Sequence, residues 1–251
     1  MEPELRPVFQ LHCRKYFGNT RKIFSLKLGS DIFHILTDPR HVSTFYRENK
    51  TLPFDYFLAK TIAGFGISPD GIHKIFEPVS GNRKSIVRIA HDLQAEQTRG
   101  RNLTQLSSHV AEFLDKTISF DQLNIPYIVQ AKIQKTDCWS LKKWTIEIMT
   151  HAIQDAYFGQ ALAQIDPELP HVLAEFDDLS YQAWYRYPRI FTPTRNKLQA
   201  RIENDLKQFL AIPKVQRQSS AWFTEELESE CRKVGFLESD LVSLMFFMYW
   251  G

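Results

Sequence analysis

The stretch that most constrains this chain is its last one, Leu241–Gly251, which is apolar on every side except at Ser243. A helix that is apolar all round belongs in the middle of a large core, not on a surface. Here it runs into the C-terminus without a cap or a polar exit, whereas chain ends normally lie exposed. The stretch therefore predicts a central helix cut by the end of the sequence, the first part of a larger protein. At least one face of Leu241–Trp250 is then expected in water. Each large side chain left there forfeits roughly 1.5–3 kcal/mol. Several together rival the ~5–15 kcal/mol of net stability of a typical domain. The expectation is a marginally folded, aggregation-prone or partner-dependent chain.

The length of 251 residues allows one large domain or two small ones. No repeat, low-complexity tract or clear linker divides the sequence, so a single domain over 1–251 is expected. The 19 Phe, 9 Tyr and 5 Trp suit a core or pocket for bulky apolar molecules. A formal net charge of +2 is too small to argue for a nucleic-acid partner. Cys13, Cys138 and Cys231 are far apart and odd in number, which excludes a Cys-rich zinc site and argues against a disulfide scaffold. The acidic start Met1-Glu-Pro-Glu is no signal peptide, and no stretch reaches the ~18 apolar residues of a membrane span. As written, the chain reads as soluble and cytoplasmic.

Phe24–Leu28 alternates apolar and polar residues, a turn signal follows at Gly29-Ser30-Asp31, and Ile32–Leu36 is a second β-type run; together they predict a hairpin. Asp38-Pro39 opens a helix with an apolar stripe of Val42, Phe45 and Tyr46. The segment with Gly64, Gly66, Pro69, Gly71 and Pro78 reads as too broken for regular structure, a functional loop. From Ile86 onward the pattern is helical. Leu103, Leu106, Val110, Phe113 and Leu114 share one face. Ser140 caps a helix ending at Gly159, and Asp166-Pro167 starts another that Pro188 stops. Leu198, Ile202, Leu206 and Phe209 mark a third that ends before Pro213, and a helix over 222–234 precedes the closing one. The fold class is mainly α with a small N-terminal β-hairpin.

This succession resembles the N-terminal half of a cytochrome P-450 of the fungal secondary-metabolism type. The matching residues are the strand pair ending Ile35-Leu-Thr-Asp-Pro39, then Val42–Arg47 and Lys50–Asp55, with Phe65-Gly66-Ile67-Ser68 where the substrate-recognition loop falls. Ser140–Trp144 through Phe158-Gly159, then Asp166-Pro167, Phe176-Asp177 and Tyr187-Pro188, continue the pattern. Leu241–Gly251 is similar to the first half of the helix that crosses the haem. The resemblance implies a haem-thiolate monooxygenase that inserts one oxygen atom into a lipophilic small molecule such as a terpenoid, steroid or polyketide. Electrons come from a reductase, and full-length relatives are anchored in the endoplasmic-reticulum membrane. It also implies Phe65, Phe247, Trp250 and Gly251 as lining of a substrate pocket; plain core is the alternative for these aromatics.

The chain departs from that family where the chemistry lies. The family's Trp-x-x-x-Arg signature is absent, so neither His91 nor Arg99 is assigned to a haem propionate. Glu96-Gln-Thr-Arg99 precedes the central helix and reads as a chance i, i+3 pair. None of the three cysteines sits in a Phe- and Gly-containing ligand loop, so no tight haem and no activity of the chain alone are expected. No His cluster, nucleophile elbow or nucleotide-binding glycine motif is present. Adjacent acids such as Asp177-Asp178 diverge by about 100° on a helix and form no catalytic dyad. The alternatives are a non-catalytic truncated paralogue, inert or binding a hydrophobic ligand or partner, and an unrelated helical binding domain.

Overall fold

The computed structural model describes residues 21–28, 31–48, 54–78, 84–118, 129–133, 136–185, 187–217 and 219–250, with backbone alone for Leu28, Asp31 and 129–139. The chain is mainly helical, with a small two-stranded antiparallel sheet near its N-terminus. It divides into two compact units, Met1–Phe57 and Leu58–Gly251.

In the first unit, β1 (Phe24–Leu28) pairs antiparallel with β2 (Asp31–Ile35), Leu26 opposite Phe33. The hairpin thus lies where the alternation placed it. Asp38 then caps α1 (Pro39–Arg47): its carboxylate accepts from the Arg40 amide at 2.8 Å, and Pro39 takes the first turn, where its missing N–H costs nothing. The expected stripe on α1 does not form a buried face. Tyr46 is 81% exposed and Phe45 47%.

The second unit holds the core. After α2 (Phe54–Gly64), which enters this unit from Leu58 onward, the segment from Gly64 to Pro78 was expected to be a loop but carries a helix, α3 (Pro69–Phe76). The punctuation marks their ends. Gly64 closes α2 against the backbone of Ala183, whose carbonyl oxygen would lie only 2.5 Å from an added Cβ. Gly66 takes φ +98°, a conformation open to glycine. Ser68 caps α3, its hydroxyl accepting from Gly71 N–H at 3.0 Å and donating to Asp240 at 2.7 Å. Asp240 also accepts from the Ser68 amide at 2.8 Å.

Two further helices follow, α4 (Ile86–Gln97) and α5 (Gly100–Thr117), then a second hairpin that the sequence reading missed, β3 (Val129–Ile133) with β4 (Thr136–Trp139). Ser140 caps α6 (Leu141–Ile165) as expected, its hydroxyl accepting from the Lys143 amide. Gly159 ends the first and longer part of this helix, as expected. At φ 64°, ψ −166° it leaves helical geometry, and one more turn carries on to Ile165. The Tyr157 carbonyl beside the break accepts from Ala221 N–H at 3.1 Å and from the Thr224 hydroxyl at 2.8 Å.

Asp166 closes α6 instead of opening the next helix; α7 (Leu169–Leu179) starts after Glu168 and stops well short of Pro188, with the single turn α8 (Tyr181–Trp184) behind it. Next come α9 (Pro193–Ala211), α10 (Trp222–Lys233) and α11 (Glu238–Trp250), close to their expected bounds. Among the described residues no helix is long and apolar enough to cross a membrane.

The closing helix is more buried than expected. Leu241–Phe246 and Tyr249 are buried, and Phe247, Met248 and Trp250 partly so; none of residues 241–250 is exposed. The rings of Phe65 and Phe176 stand 5.2 and 4.8 Å from that of Phe246, and Phe158 lies 5.0 Å from Tyr249. The helices of this chain therefore cover most of α11 themselves, and only Phe247, Met248 and Trp250 stay partly exposed.

Candidate functional site

A cleft of ≈ 430 Å3 lies between α4 and α11. Its size falls within the range of small-molecule sites, about 300–1,000 Å3. One wall is a face of α4: Ile86, Val87, Ala90, His91, Gln94 and Ala95, with Thr98 just beyond the helix. The opposite wall is Leu244, Phe247 and Met248 of α11. Leu58 and Ile62 of α2, Ile75 of α3 and Leu227 of α10 complete it. Spacing explains the α4 wall: residues 87, 90, 91, 94 and 98 return to one side of a helix every three or four positions.

Apart from His91, Gln94 and Thr98, the lining side chains are hydrocarbon, phenyl or thioether. Thr98 donates its hydroxyl back to the carbonyls of Gln94 and Ala95 at 3.1 and 3.3 Å, so it offers little to a ligand. Gln94 Nε2 donates to the Tyr157 hydroxyl at 3.1 Å. Charge stays on the outer side of α4. There Asp92 accepts from Lys84 at 2.7 Å, and chiefly that hydrogen bond holds its carboxyl below the usual range. His91 Nδ1 lies 3.5 Å from Asp92, at the rim. The arrangement can desolvate an apolar molecule and read one polar group at its edge.

The four positions expected to line a pocket divide. Phe65, Phe247 and Trp250 do meet: ring centroids lie 5.3 Å apart for Phe65–Phe247 and 5.2 Å for Phe65–Trp250. Only Phe247 reaches the cleft. Phe65 is fully buried, packed among aromatic rings, and is core. Trp250 donates its indole N–H to Asp177 at 3.0 Å. Gly251 lies outside the described residues. The α4 face was missed because its 86–98 pattern was read only as the start of the helical region; the i, i+3, i+4 recurrence was legible, but the α11 wall opposite was not.

The resemblance implies a cysteine thiolate as the axial donor of haem, and Cys231 is the cysteine whose side chain is described. Cys231 is buried, and burial, then the Glu230 and Glu228 carboxylates, push its thiol up to about 12. It is therefore a neutral thiol at physiological pH. Cys13 and the Cys138 side chain lie outside the described set. Among the described residues no three His, Cys, Asp or Glu side chains gather as a metal site. No protein-family model matches the chain, and no curated protein matches it.

A second titratable cluster lies away from the cleft. Asp166 accepts from Arg201 at 2.7 and 2.9 Å, which together with the Glu168 amide outweighs burial and lowers its pKa. Asp205 Oδ2 is buried without a hydrogen-bond partner among the described residues. Burial first, then the Asp166 carboxylate, push Asp205 from 3.8 up to about 6. A carboxyl raised on folding favours the native state below its unfolded pKa and loses that contribution as pH rises through its folded value. Asp205→Asn is thus expected to melt higher than the parent above pH 6, with the difference closing towards pH 3.8. Melting curves across that range check it; a constant difference at every pH would show that Asp205 does not titrate in this window.

Proposed function

We propose that this chain binds a lipophilic small molecule in the cleft between α4 and α11, as the N-terminal half of a cytochrome P-450-type fold. The single observation behind the binding is the cleft itself, walled almost wholly by apolar side chains. Burying apolar area yields about 25 cal/mol per Å2, so a hydrophobic ligand gains where water gains little. The helix order, and the buried, mostly apolar stretch Leu241–Trp250 of α11, support the family reading. On that reading the oxygen-activating thiolate and the reductase-delivered electrons come from beyond these residues, and the chain by itself is not a monooxygenase.

A second reading is favoured by the burial of α11. Because this chain's own helices close around it, the helical unit can hold a lipophile without added residues. It would then act as a non-catalytic binding protein. Neither reading places the haem thiolate in this chain. Titration with haem, reduction and CO should therefore give no thiolate-type Soret band. A stoichiometric thiolate spectrum would sink both readings, and Cys→Ser variants would identify the ligand.

The shared claim is tested by filling the cleft. Ala90→Trp places an indole in the space against α11. Fluorescence titration with the neutral dye Nile red is expected to show at least about a tenfold loss of affinity, the equivalent of ~1.4 kcal/mol. Unchanged dye affinity in a folded Ala90→Trp variant would remove the cleft as the site.

A further inference from the structure

We infer that the ligand of this cleft is a neutral lipophilic alcohol, its hydroxyl held by Gln94 and His91 and its hydrocarbon body laid along Leu244, Phe247 and Met248. This rests on the lipophile-binding reading above and narrows it. The polar side chains of the lining sit on α4 or just past its end, so the cleft has one polar edge and an apolar remainder. Thr98 is already satisfied by the carbonyls before it. Gln94 keeps one amide end on the Tyr157 hydroxyl, and among the described residues no hydrogen bond ends on its Oε1.

That leaves one amide atom of a cleft-lining side chain open to a ligand's polar group. Amide orientation is set by hydrogen bonding, so the open atom is an acceptor or, with the amide turned, a donor. A hydroxyl answers either. A pure hydrocarbon would bury that atom unpaired, at the cost of its lost hydration. A carboxylate would bring a charge into an apolar cleft, and the nearby Lys84 ammonium is engaged 2.7 Å from Asp92. His91, with its side chain 71% exposed, marks the mouth, so the hydroxyl end points outward and the apolar end inward.

The experiment is displacement of Nile red from the purified chain by dodecanol, dodecyl chloride and dodecanoate, with parent and Gln94→Met protein. Dodecanol is expected to lose about tenfold in affinity on Gln94→Met, as for one hydrogen bond, while dodecyl chloride changes less than twofold. Dodecanoate is expected to bind weakest. If alcohol and chloride lose equally, or dodecanoate binds best, the alcohol inference falls and lipophile binding stands. If the dye does not bind, or no competitor displaces it, both fall. Should Gln94→Met lower the melting temperature, His91→Phe at the exposed mouth reads the same discrimination: weaker alcohol, unchanged chloride.

Discussion

Phe246→Ala is expected to cost 3–5 kcal/mol, the range for emptying a fully buried Phe position. Phe246 has no exposed surface, and its ring lies within 5.2 Å, centroid to centroid, of both Phe65 and Phe176. Those two rings also touch each other at 5.8 Å, so the three form one cluster that cannot collapse on the gap without moving α2, α7 or α11. At about 2–4 °C per kcal/mol for a chain of this size, the melting temperature should fall on the order of 10 °C. Phe247→Ala is the control: its side chain opens on the cleft, so the loss should be clearly smaller while dye binding weakens. A Phe246→Ala loss under ~1 kcal/mol would mean that α11 stands partly in water, as its sequence alone suggested. By the same burial, deleting 241–251 should abolish cooperative unfolding rather than improve solubility.

Arg217→Met should be nearly as severe, about 3 kcal/mol, because it removes the buried partner of a buried carboxylate and leaves it only the half-exposed Arg232. Arg217 and Glu228 are both almost fully buried and ion-paired, with Arg232 also donating to Glu228 at 2.8 Å. Arg217 further donates to the carbonyls of Leu210 and Ile212 at 3.0 and 2.8 Å, closing the end of α9, and lies 4.6 Å over the Phe209 ring. The double variant Arg217→Met with Glu228→Met should recover much of the loss, since no charge is left unpaired. Part will remain, because the two carbonyls lose their donor. The pair has an acid signature too. Burial pushes Glu228 up, but the Arg217 and Arg232 hydrogen bonds outweigh it and hold it below 4.5. A carboxyl lowered on folding contributes above its unfolded pKa, and that contribution is lost as pH falls through its folded value. Chemical denaturation between pH 7 and 3 should show a steeper acid loss for the parent than for the double variant. Parallel curves would show that the pair does not set acid stability.

Much of the helical frame was legible because it depends on local chemistry. Asp38-Pro39, Ser140 and the apolar spacing of 198–209 each report the backbone preference of a few neighbouring residues, and those helices start or pack where expected. The loop reading of the segment from Gly64 to Pro78 failed because Gly64, Pro69 and Gly71 were counted as breakers. Each is a fitted part: Gly64 for the approach of Ala183, Pro69 for a first turn, Gly71 for the Asp240 carboxylate 2.7 Å from where its Cβ would stand. Ala183 and Asp240 lie far along the chain, so nothing near the glycines announces them.

By itself the sequence determined where helices begin, that 24–35 pairs as a hairpin, and that 241–250 must be buried by something. Capping, alternation and all-round apolarity are properties of a few consecutive residues, readable without the fold. Only the tertiary structure decided what buries α11, that Phe65 is core while Phe247 lines the cleft, and that one face of α4 forms the opposite wall. Burial and cavity are properties of two surfaces brought together, and here the two walls come from segments about 150 residues apart in a chain whose intervening helices bring them together.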